Sequence, residues 1–227
     1  MTKKTFSSLN GKARIIIVDD HPVVRQGLAG MINQEDDLEV CGQAEDGPAA
    51  LKLIREINPA LVIVDVALRD SSGIELIKDI KAQFPNMNVL TLSMHDEKLY
   101  AERALRAGAK GYIMKEEATD KIVDAIRQIL KGQMYLSDRM SARFLKMLIR
   151  GEDTVQSSPI ERLSDRELEV FSLLGKGLGT RKISEKLHLS VKTIETYRSH
   201  IKEKLNLSNS TELLQHAIQW VNNQGRV

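Results

Sequence analysis

Leu61-Val62-Ile63-Val64-Asp65 is a wholly apolar run that ends in a single carboxylate. A continuous run of this length is typical of a strand that is buried on both faces of a parallel sheet. Ile15-Ile16-Ile17-Val18 is equally apolar, and two acids, Asp19 and Asp20, follow it directly. Functional groups of parallel sheets lie beyond the carboxyl ends of the strands. The two runs therefore predict that three acids converge at one sheet edge, where a divalent cation such as Mg²⁺ would relieve their repulsion.

Short apolar strands alternate with amphipathic helical segments from about residue 14 to residue 132, and this alternation is the βαβ signature. It predicts an α/β fold, a doubly wound five-stranded parallel sheet. Asp20 is expected to cap a first helix that begins at His21-Pro22. The five predicted strands are Arg14–Val18, Leu38–Ala44, Leu61–Asp65, Asn88–Ser93 and Gly111–Met114.

The pattern changes after the helix that is predicted at Thr119–Leu130. A polar stretch rich in turn formers indicates a linker, with one short helix at about Arg139–Ile149. From Leu163 onward only helical patterns occur, and Ser164-Asp-Arg-Glu167 has the form of a capping box. We therefore expect a flexible tail (1–12), the α/β domain (13–132), the linker (133–159) and a small all-α domain (160–227).

Charge and cysteine content narrow the class of protein. The net charge is +2, but residues 160–227 carry 11 Lys+Arg against 8 Asp+Glu, so the basic excess is C-terminal. A modest excess of this kind is usually a solvated face and alone says little about nucleic acid.

The single cysteine, Cys41, is read as a small buried hydrophobe and excludes an internal disulfide framework. With no apolar run long enough to span a membrane and no signal peptide, the sequence predicts a cytoplasmic protein.

Polar side chains close four of the five predicted strands. Taken singly they have ordinary structural explanations, because Asp caps helices and loops while Ser and Lys near strand ends are usually solvated. Their joint occurrence at one edge of one sheet is much harder to explain without a site. The residues are Asp19, Asp20, Asp65, Ser93 and Lys115.

On these residues the first domain resembles the receiver domain of bacterial two-component response regulators, a flavodoxin-like fold. The resemblance implies that Asp65 is the phosphoacceptor. It further implies that Asp20, Asp65 and the carbonyl of Ala67 bind Mg²⁺ directly, with Asp19 assisting through water. Ser93 and Lys115 would take phosphoryl oxygens, and Tyr112 would be the aromatic that turns inward on activation. These roles suit phosphoryl transfer, which depends mostly on positioning and charge stabilisation.

One position departs from the family pattern. The family often has proline four residues after the phosphoacceptor, and this chain has Arg69 there. Gly73, eight residues after Asp65, is kept, so the loop length matches. Arg69 gives the loop a different stiffness and charge from proline. We therefore expect it to affect the kinetics and not the chemistry of the acids.

The second domain contains Leu163-Ser-Asp-Arg-Glu-Leu-Glu-Val170 and Gly177-Leu-Gly-Thr-Arg-Lys-Ile-Ser-Glu-Lys-Leu-His-Leu-Ser-Val-Lys-Thr-Ile194, which resemble the LuxR-type signature. Helices at about Thr180–Leu187 and Val191–Leu205 would form a helix-turn-helix whose second helix enters the major groove. Ile194, Tyr197, Ile201 and Leu205 would pack inward. On the outward face, phosphate contacts are expected from Lys192, Thr193, Arg198 and Lys202, and base contacts from Glu195, Thr196 and Ser199.

The whole chain therefore resembles a NarL/FixJ-type response regulator. This resemblance implies a regulator of transcription that a sensor histidine kinase phosphorylates, with Mg²⁺ as cofactor and an operator in double-stranded DNA as target. It also implies a homodimer on activation, to which the final helix at Thr211–Asn222 contributes. No membrane partner and no enzymatic activity beyond turnover of its own phosphoryl group are expected.

Three alternatives compete with this interpretation. A phosphatase of the haloacid-dehalogenase type needs a second acid two residues after its nucleophile, and that position is Ala67. A nucleotide-binding domain needs a glycine-rich turn after the first strand, and the segment from Asp19 to Gly27 has none. A regulator that no longer uses phosphate stays open, although the complete set of acids, hydroxyl and lysine argues against it.

Overall fold

A computed structural model describes residues 11–68, 72–94, 97–150 and 159–224. The chain divides into two compact units between Phe144 and Leu145. The division falls inside the predicted 133–159 linker, within the helix Asp138–Arg150.

The first unit is built on five parallel strands in the order β2-β1-β3-β4-β5. Strands β1 and β3 are neighbours in space although β2 lies between them in sequence, so the loops after them open a crevice at the switch point of the sheet. Every residue of β3 and β4 is buried, as expected for strands covered on both faces. The strands are β1 (Ala13–Val18), β2 (Leu38–Ala44), β3 (Leu61–Asp65), β4 (Asn88–Ser93) and β5 (Gly111–Met114).

Helices cover the two faces of this sheet. The first and fifth pack together on one face around a core that includes Ile32 and Ile126, while the second, third and fourth follow one another on the other face. A short 3-10 helix, Lys115–Glu117, connects β5 to the fifth helix. The helices are α1 (Pro22–Asn33), α2 (Gly47–Ile57), α3 (Gly73–Gln83), α4 (Glu97–Ala107) and α5 (Ala118–Leu130), followed by α6 (Asp138–Arg150) across the division.

The edge of β5 is covered by a segment that the sequence assigned to the linker. Tyr135 forms a parallel bridge with Gly111, its N–H donates to the carbonyl of Lys110, and its carbonyl accepts from Tyr112 N. These bonds satisfy backbone groups that an exposed edge strand would present to solvent. The strand pairing of the first unit's sheet therefore includes a residue beyond position 132.

Two expectations from the sequence were wrong. The N-cap of α1 is His21 and not Asp20, and no side chain caps this helix, because Asp20 turns towards the sheet edge. Cys41 is only half-buried, since β2 is an edge strand and Cys41 is the extra residue where the register between β1 and β2 shifts. Its Sγ donates to the carbonyl of Ile15.

The second unit contains four helices among residues 159–224, after a 3-10 helix at Pro159–Arg162. The predicted capping box is present, because Ser164 Oγ accepts from Glu167 N and the Glu167 carboxylate accepts from Ser164 N. Ile194 and Ile201 are fully buried, whereas Tyr197 and Leu205 are half-buried, so the predicted inward face is confirmed in outline. The helices are α7 (Asp165–Gly175), α8 (Thr180–Lys186), α9 (Val191–Leu205) and α10 (Ser210–Gln224).

Helices α7 and α10 pack closely at one glycine. A Cβ on Gly175 would lie 2.3 Å from the carbonyl oxygen of Ala217, so only glycine fits there. Phe171 and Trp220 pack with ring centroids 5.5 Å apart at a tilted angle, which extends the same contact. Within the described ranges, no helix combines the length and the apolar character that crossing a membrane requires.

Candidate functional site

A lysine joins two of the three acids at the carboxyl edge of the sheet. Lys115 Nζ lies 2.6 Å from Asp19 Oδ2 and 2.7 Å from Asp65 Oδ2. Asp19 is 1% exposed and Asp65 2%, so both carboxylates have left bulk water. Removing paired charges from water is tolerated only when they neutralise one another and are hydrogen-bonded. The predicted convergence of strand ends β1, β3 and β5 is therefore confirmed in the positions of these side chains.

The loop after β1 is held in place by its own backbone and by α1. Asp19 Oδ1 accepts from His21 N at 2.8 Å and lies 3.1 Å from His21 Nδ1. The guanidinium of Arg25 donates to the backbone carbonyl of Asp19 at 2.5 Å. These contacts fix Asp19 from two sides, so its other oxygen is free to take the Lys115 ammonium.

Asp20 differs from its neighbour because one of its buried oxygens has no hydrogen bond. His21 Nδ1 lies 2.9 Å from Asp20 Oδ1, but the approach lacks hydrogen-bond geometry, and Oδ1 is unsatisfied in the part of the chain that the structure describes. A buried carboxylate oxygen without a partner is costly, and a bound cation removes that cost.

The donor set suits a hard divalent cation. One ligand atom from each of Asp19, Asp20, His21 and Asp65 lies within 4.8 Å of the others. Mg²⁺ prefers carboxylate and carbonyl oxygens and keeps several waters, so the acids and the unsatisfied Oδ1 of Asp20 fit it. His21 is an additional nearby nitrogen that the sequence-based ligand set did not contain.

Burial and neighbouring charges shift the pKa values of Asp65 and Lys115. Burial raises the pKa of Asp65 to about 6; Lys115 opposes that rise and Asp19 adds to it. For Lys115, burial favours the neutral amine, but the carboxylates of Asp65 and Asp19 outweigh it and raise the pKa of the ammonium. A buried carboxylate whose pKa is raised by burial and lowered by an adjacent ammonium is a candidate reactive group.

The predicted switch residues lie along β4 and β5. Ser93 is fully buried and pairs with Met114, one residue before Lys115, while Asp65 pairs with Leu92. Ser93 therefore stands one step beyond Asp65 on the adjacent strand, on the side of the site that faces Lys115.

Tyr112 is 1% exposed, so its ring is buried in this structure. It pairs in register with Thr91, whose buried Oγ1 makes no hydrogen bond within the described residues.

The loop after β3 is shaped by Gly73. A Cβ at this position would lie 2.0 Å from the backbone oxygen of Asp65, so the first turn of α3 approaches the strand end more closely than any other residue permits. Gly73 N donates to the carbonyl of Val66, and Ala67 N donates to Asp65 Oδ1 at 3.2 Å. Arg69 lies outside the described residues.

The second candidate site is the outward face of α9. Lys192, Glu195, Thr196 and Ser199 are exposed, while Thr193 and Lys202 are half-buried. Ser190 caps the helix by accepting from Thr193 N, and Thr193 Oγ1 lies 2.8 Å from Ser190 Oγ. Thr196 Oγ1 donates back to the carbonyl of Lys192 at 3.0 Å. The predicted face is thus available to a ligand.

Arg198 was also predicted to lie on this face, but its guanidinium is hydrogen-bonded within the second unit. Its side chain is 20% exposed, against 54% for Glu195. Arg198 Nη1 donates to Thr180 Oγ1 and lies 3.1 Å from Glu195 Oε1. Thr180, at the start of α8, was not among the residues singled out from the sequence.

Sequence reasoning also missed the anchor of α9. Glu167 is 3% exposed and its Oε2 lies 2.6 Å from Lys204 Nζ. Burial alone would raise the pKa of Glu167, but the bonds from Lys204 and Ser164 outweigh it and lower that pKa. Lys204 and Glu167 are 37 residues apart, so no local spacing signals the pair.

Known families match both units. Residues 15–127 match the model of the response regulator receiver domain. Residues 161–217 match the model of bacterial regulatory proteins of the luxR family. Together these matches cover both candidate sites.

Two relatives match most of this chain. Oxygen regulatory protein NreC from Staphylococcus carnosus is 36% identical over 210 residues, which covers 91% of this chain and 97% of that protein. NreC from Staphylococcus aureus strain MRSA252 matches with the same identity and coverage.

Two solved structures superpose on most of this chain. RcsB from Salmonella typhimurium superposes with a TM-score of 0.70 at 27% identity, covering 92% of this chain and 98% of that one. RcsB bound to the promoter rprA in the presence of the phosphomimetic BeF3⁻ gives a TM-score of 0.66 at 26% identity, covering 91% and 98%. The chain therefore belongs to the NarL/FixJ-type response regulators, transcriptional regulators that join a receiver domain to a LuxR-family DNA-binding domain.

Proposed function

We propose that a sensor histidine kinase phosphorylates this regulator on Asp65 and that phosphorylation raises its affinity for an operator in double-stranded DNA. The observation that carries the proposal is the bridge from Lys115 to Asp65 and Asp19 at the strand ends, in a chain that also carries an exposed α9 face. The proposed domains are 13–132 and 160–227, joined by 133–159, and the bridge of Tyr135 to Gly111 attaches the start of the linker to the first domain.

The chemistry at Asp65 is substitution at phosphorus. A carboxylate oxygen of Asp65 forms a bond to phosphorus, the bond from phosphorus to the kinase histidine nitrogen breaks, and that nitrogen keeps the electron pair. Lys115 then exchanges part of its contact with Asp65 for a phosphoryl oxygen, and the Ser93 hydroxyl donates to another. Both contacts neutralise or orient charge, which is most of what phosphoryl transfer requires.

Magnesium would be held by Asp20, Asp65 and the carbonyl of Ala67, with Asp19 acting through water. When bound it supplies charge neutralisation among the acids and the phosphoryl oxygens. The unsatisfied Oδ1 of Asp20 supports this assignment. Turnover of its own phosphoryl group is the only catalysis proposed, because Ala67 offers no acid to protonate a leaving alcohol.

The α9 face would read the operator from the major groove. Lys192, Thr193 and Lys202 are proposed to contact phosphates, and Glu195, Thr196 and Ser199 to contact base edges. Arg198 was expected to contact phosphate, but its half-buried side chain is already bonded within the helix-turn-helix. A DNA target of this kind places the protein in the cytoplasm.

Coupling between the sites would run through Ser93 and Tyr112. The phosphoryl group draws in the Ser93 hydroxyl, and this contact stabilises the buried position that the Tyr112 ring occupies. That change alters the surface formed by α4 and β5 and favours a homodimer in which two α9 helices meet successive major grooves.

Genomic footprinting with the full chain tests the proposed function. With acetyl phosphate and Mg²⁺ present, we expect discrete protected sites that weaken or vanish without the phosphodonor. Protection that is uniform along the DNA and indifferent to the phosphodonor would contradict both selective binding and its control by phosphate.

A further inference from the structure

Thr180, Glu195 and Arg198 form a closed triangle of hydrogen bonds across the helix-turn-helix. Thr180 Oγ1 donates to Glu195 Oε1 at 2.9 Å, and Arg198 Nη1 donates to both Thr180 Oγ1 and Glu195 Oε1. The triangle ties the first residue of α8 to two positions on α9 that lie on the face proposed for DNA contact.

The triangle leaves one oxygen of Glu195 available. Both bonds to this carboxylate end on Oε1, and Oε2 has no hydrogen-bond partner among the residues the structure describes. The side chain is 54% exposed, so Oε2 is open to solvent while Oε1 is held. An exposed glutamate normally samples many rotamers, and ordering them on binding costs free energy. Here the carboxylate is ordered before any ligand arrives.

Charge gives Arg198 a second effect on Glu195. A bare carboxylate that approaches DNA is repelled by the phosphates, and a guanidinium 3.1 Å away reduces that repulsion. Arg198 is only 20% exposed, so little of its side chain is accessible to an incoming duplex. Its position suits support of Glu195 better than direct contact with the DNA backbone.

We infer that Thr180 and Arg198 are positioning residues that present Glu195 Oε2 to a base edge, and that this triangle sets sequence preference at one base pair. A carboxylate oxygen accepts from the N4 amino group of cytosine, so the preferred pair contains cytosine at that position. The inference rests on the proposed function, since it requires α9 to lie in the major groove.

The test begins with operator selection from a random duplex library, using the full chain with acetyl phosphate and Mg²⁺. Each base pair of the selected duplex is then substituted in turn, and binding is measured for wild type, Glu195→Gln, Thr180→Val and Thr180→Ser. Thr180→Val keeps the shape of the side chain but removes the hydroxyl, whereas Thr180→Ser keeps the hydroxyl. Thr119→Val on α5 is the matched control, because the Thr119 side chain is exposed and no hydrogen bond of its hydroxyl occurs among the described residues.

Wild type should prefer cytosine at one position by about 5-fold or more. Glu195→Gln and Thr180→Val should both lose that preference at the same position, while Thr180→Ser and Thr119→Val keep it. The double variant Thr180→Val/Glu195→Gln should lose no more than Glu195→Gln alone, because the two residues act through one contact. A Thr180 role limited to folding would instead weaken binding to all sequences and add to the effect of Glu195→Gln.

Salt dependence separates positioning from phosphate contact. The slope of log K against log[salt] should fall by about 0.9 in Lys192→Ala and stay unchanged in Arg198→Gln. A fall of that size in Arg198→Gln would overturn the role given to Arg198. If the preference for cytosine survives in Thr180→Val, the inference is overturned and the proposed function stays intact. If the wild type selects no sequence from the library, both are overturned.

Discussion

The ammonium of Lys115 is bonded to the phosphoacceptor candidate, with Nζ 2.7 Å from Oδ2 of Asp65. The same nitrogen lies 2.6 Å from Asp19 Oδ2, so it stands where negative charge from an incoming phosphoryl group would accumulate. Transfer to Asp65 therefore exchanges one anionic partner of Lys115 for another, and the cation need not move far. This relationship suits the role proposed for Asp65, and the comparison of Asp65→Asn with the wild type tests it.

Asp65→Asn should abolish labelling of the full chain by acetyl phosphate in the presence of Mg²⁺, because the amide is not a nucleophile at this site. Mass spectrometry should show one added phosphoryl group on the wild type only. Hydroxylamine should remove it, since the bond at Asp65 is an acyl phosphate. Chelating Mg²⁺ should also prevent labelling, because the acids then repel the phosphate.

Asp79→Asn is the matched control for that experiment, since Asp79 is an exposed acid on α3. It should be labelled like the wild type. Equal labelling of Asp65→Asn and wild type, or a modification that resists hydroxylamine, would remove Asp65 from its assigned role.

Asp65→Asn should also stabilise the receiver unit at pH 8. The pKa of Asp65 is about 6 in the folded protein, against an ordinary value of 3.8, so folding favours the protonated acid. The stability that the folded protein gains from binding this proton is complete below about pH 4 and is lost as the pH rises through about 6. Above that pH the buried charge of Asp65 lowers the free energy of unfolding by about 2–3 kcal/mol relative to the protonated acid. The amide avoids this cost, and Lys115 retains Asp19 as a partner.

Urea unfolding followed by circular dichroism at pH 5 and pH 8, with a chelator present, measures the effect. The free energy of unfolding of Asp65→Asn should exceed that of the wild type clearly at pH 8 and by a smaller amount at pH 5. Fluorescence of Trp220, the single tryptophan, reports the second unit and should not change between the variants. An advantage that is the same at both pH values would show that the ionisation of Asp65 is not its cause.

Gly73→Ala should destabilise the receiver unit and slow the labelling of Asp65. The added Cβ would lie 2.0 Å from Asp65 O and 2.8 Å from Val66 Cα, which are backbone atoms that cannot rotate away. Overpacking of this kind costs about 1–3 kcal/mol or more. Gly27→Ala is the control, because nothing lies within 4 Å of its added Cβ and alanine in a helix gains up to about 1 kcal/mol. Equal stability of the two variants would contradict the close approach at Gly73.

The strand ends were predictable, and the contacts between them were predictable only in part. Periodicity located all five strands to within one residue and placed Asp19, Asp65 and Lys115 at one edge, because parallel strands share their carboxyl ends. The cap of α1 was assigned wrongly, since local propensity favours Asp20 while the tertiary site draws that side chain away. Thr180 and Lys204 were missed because their partners lie 15 to 37 residues away and no short motif encodes those bonds.

On DNA, Lys192→Ala and Lys202→Ala should weaken binding to every sequence by a similar factor. Each removes about one phosphate contact, so the salt slope should fall by about 0.9 per variant. Thr196→Val should instead change the preference at one base pair and leave the slope unchanged. Filter binding or fluorescence anisotropy at several salt concentrations distinguishes the two classes, and identical behaviour of all three variants would refute the division of the α9 face.

Control of DNA affinity by the phosphoryl group at Asp65 is measured by comparing operator binding by the full chain with and without acetyl phosphate and Mg²⁺. The coupling free energy available to a two-state element is about 1–3 kcal/mol, which corresponds to a gain of about 5–150-fold. Wild type should show that gain and sediment as a dimer, whereas Asp65→Asn should show neither and Ser93→Ala only a reduced effect. Phosphorylated wild type that remains monomeric and binds the operator no more tightly than Asp65→Asn would contradict the coupling.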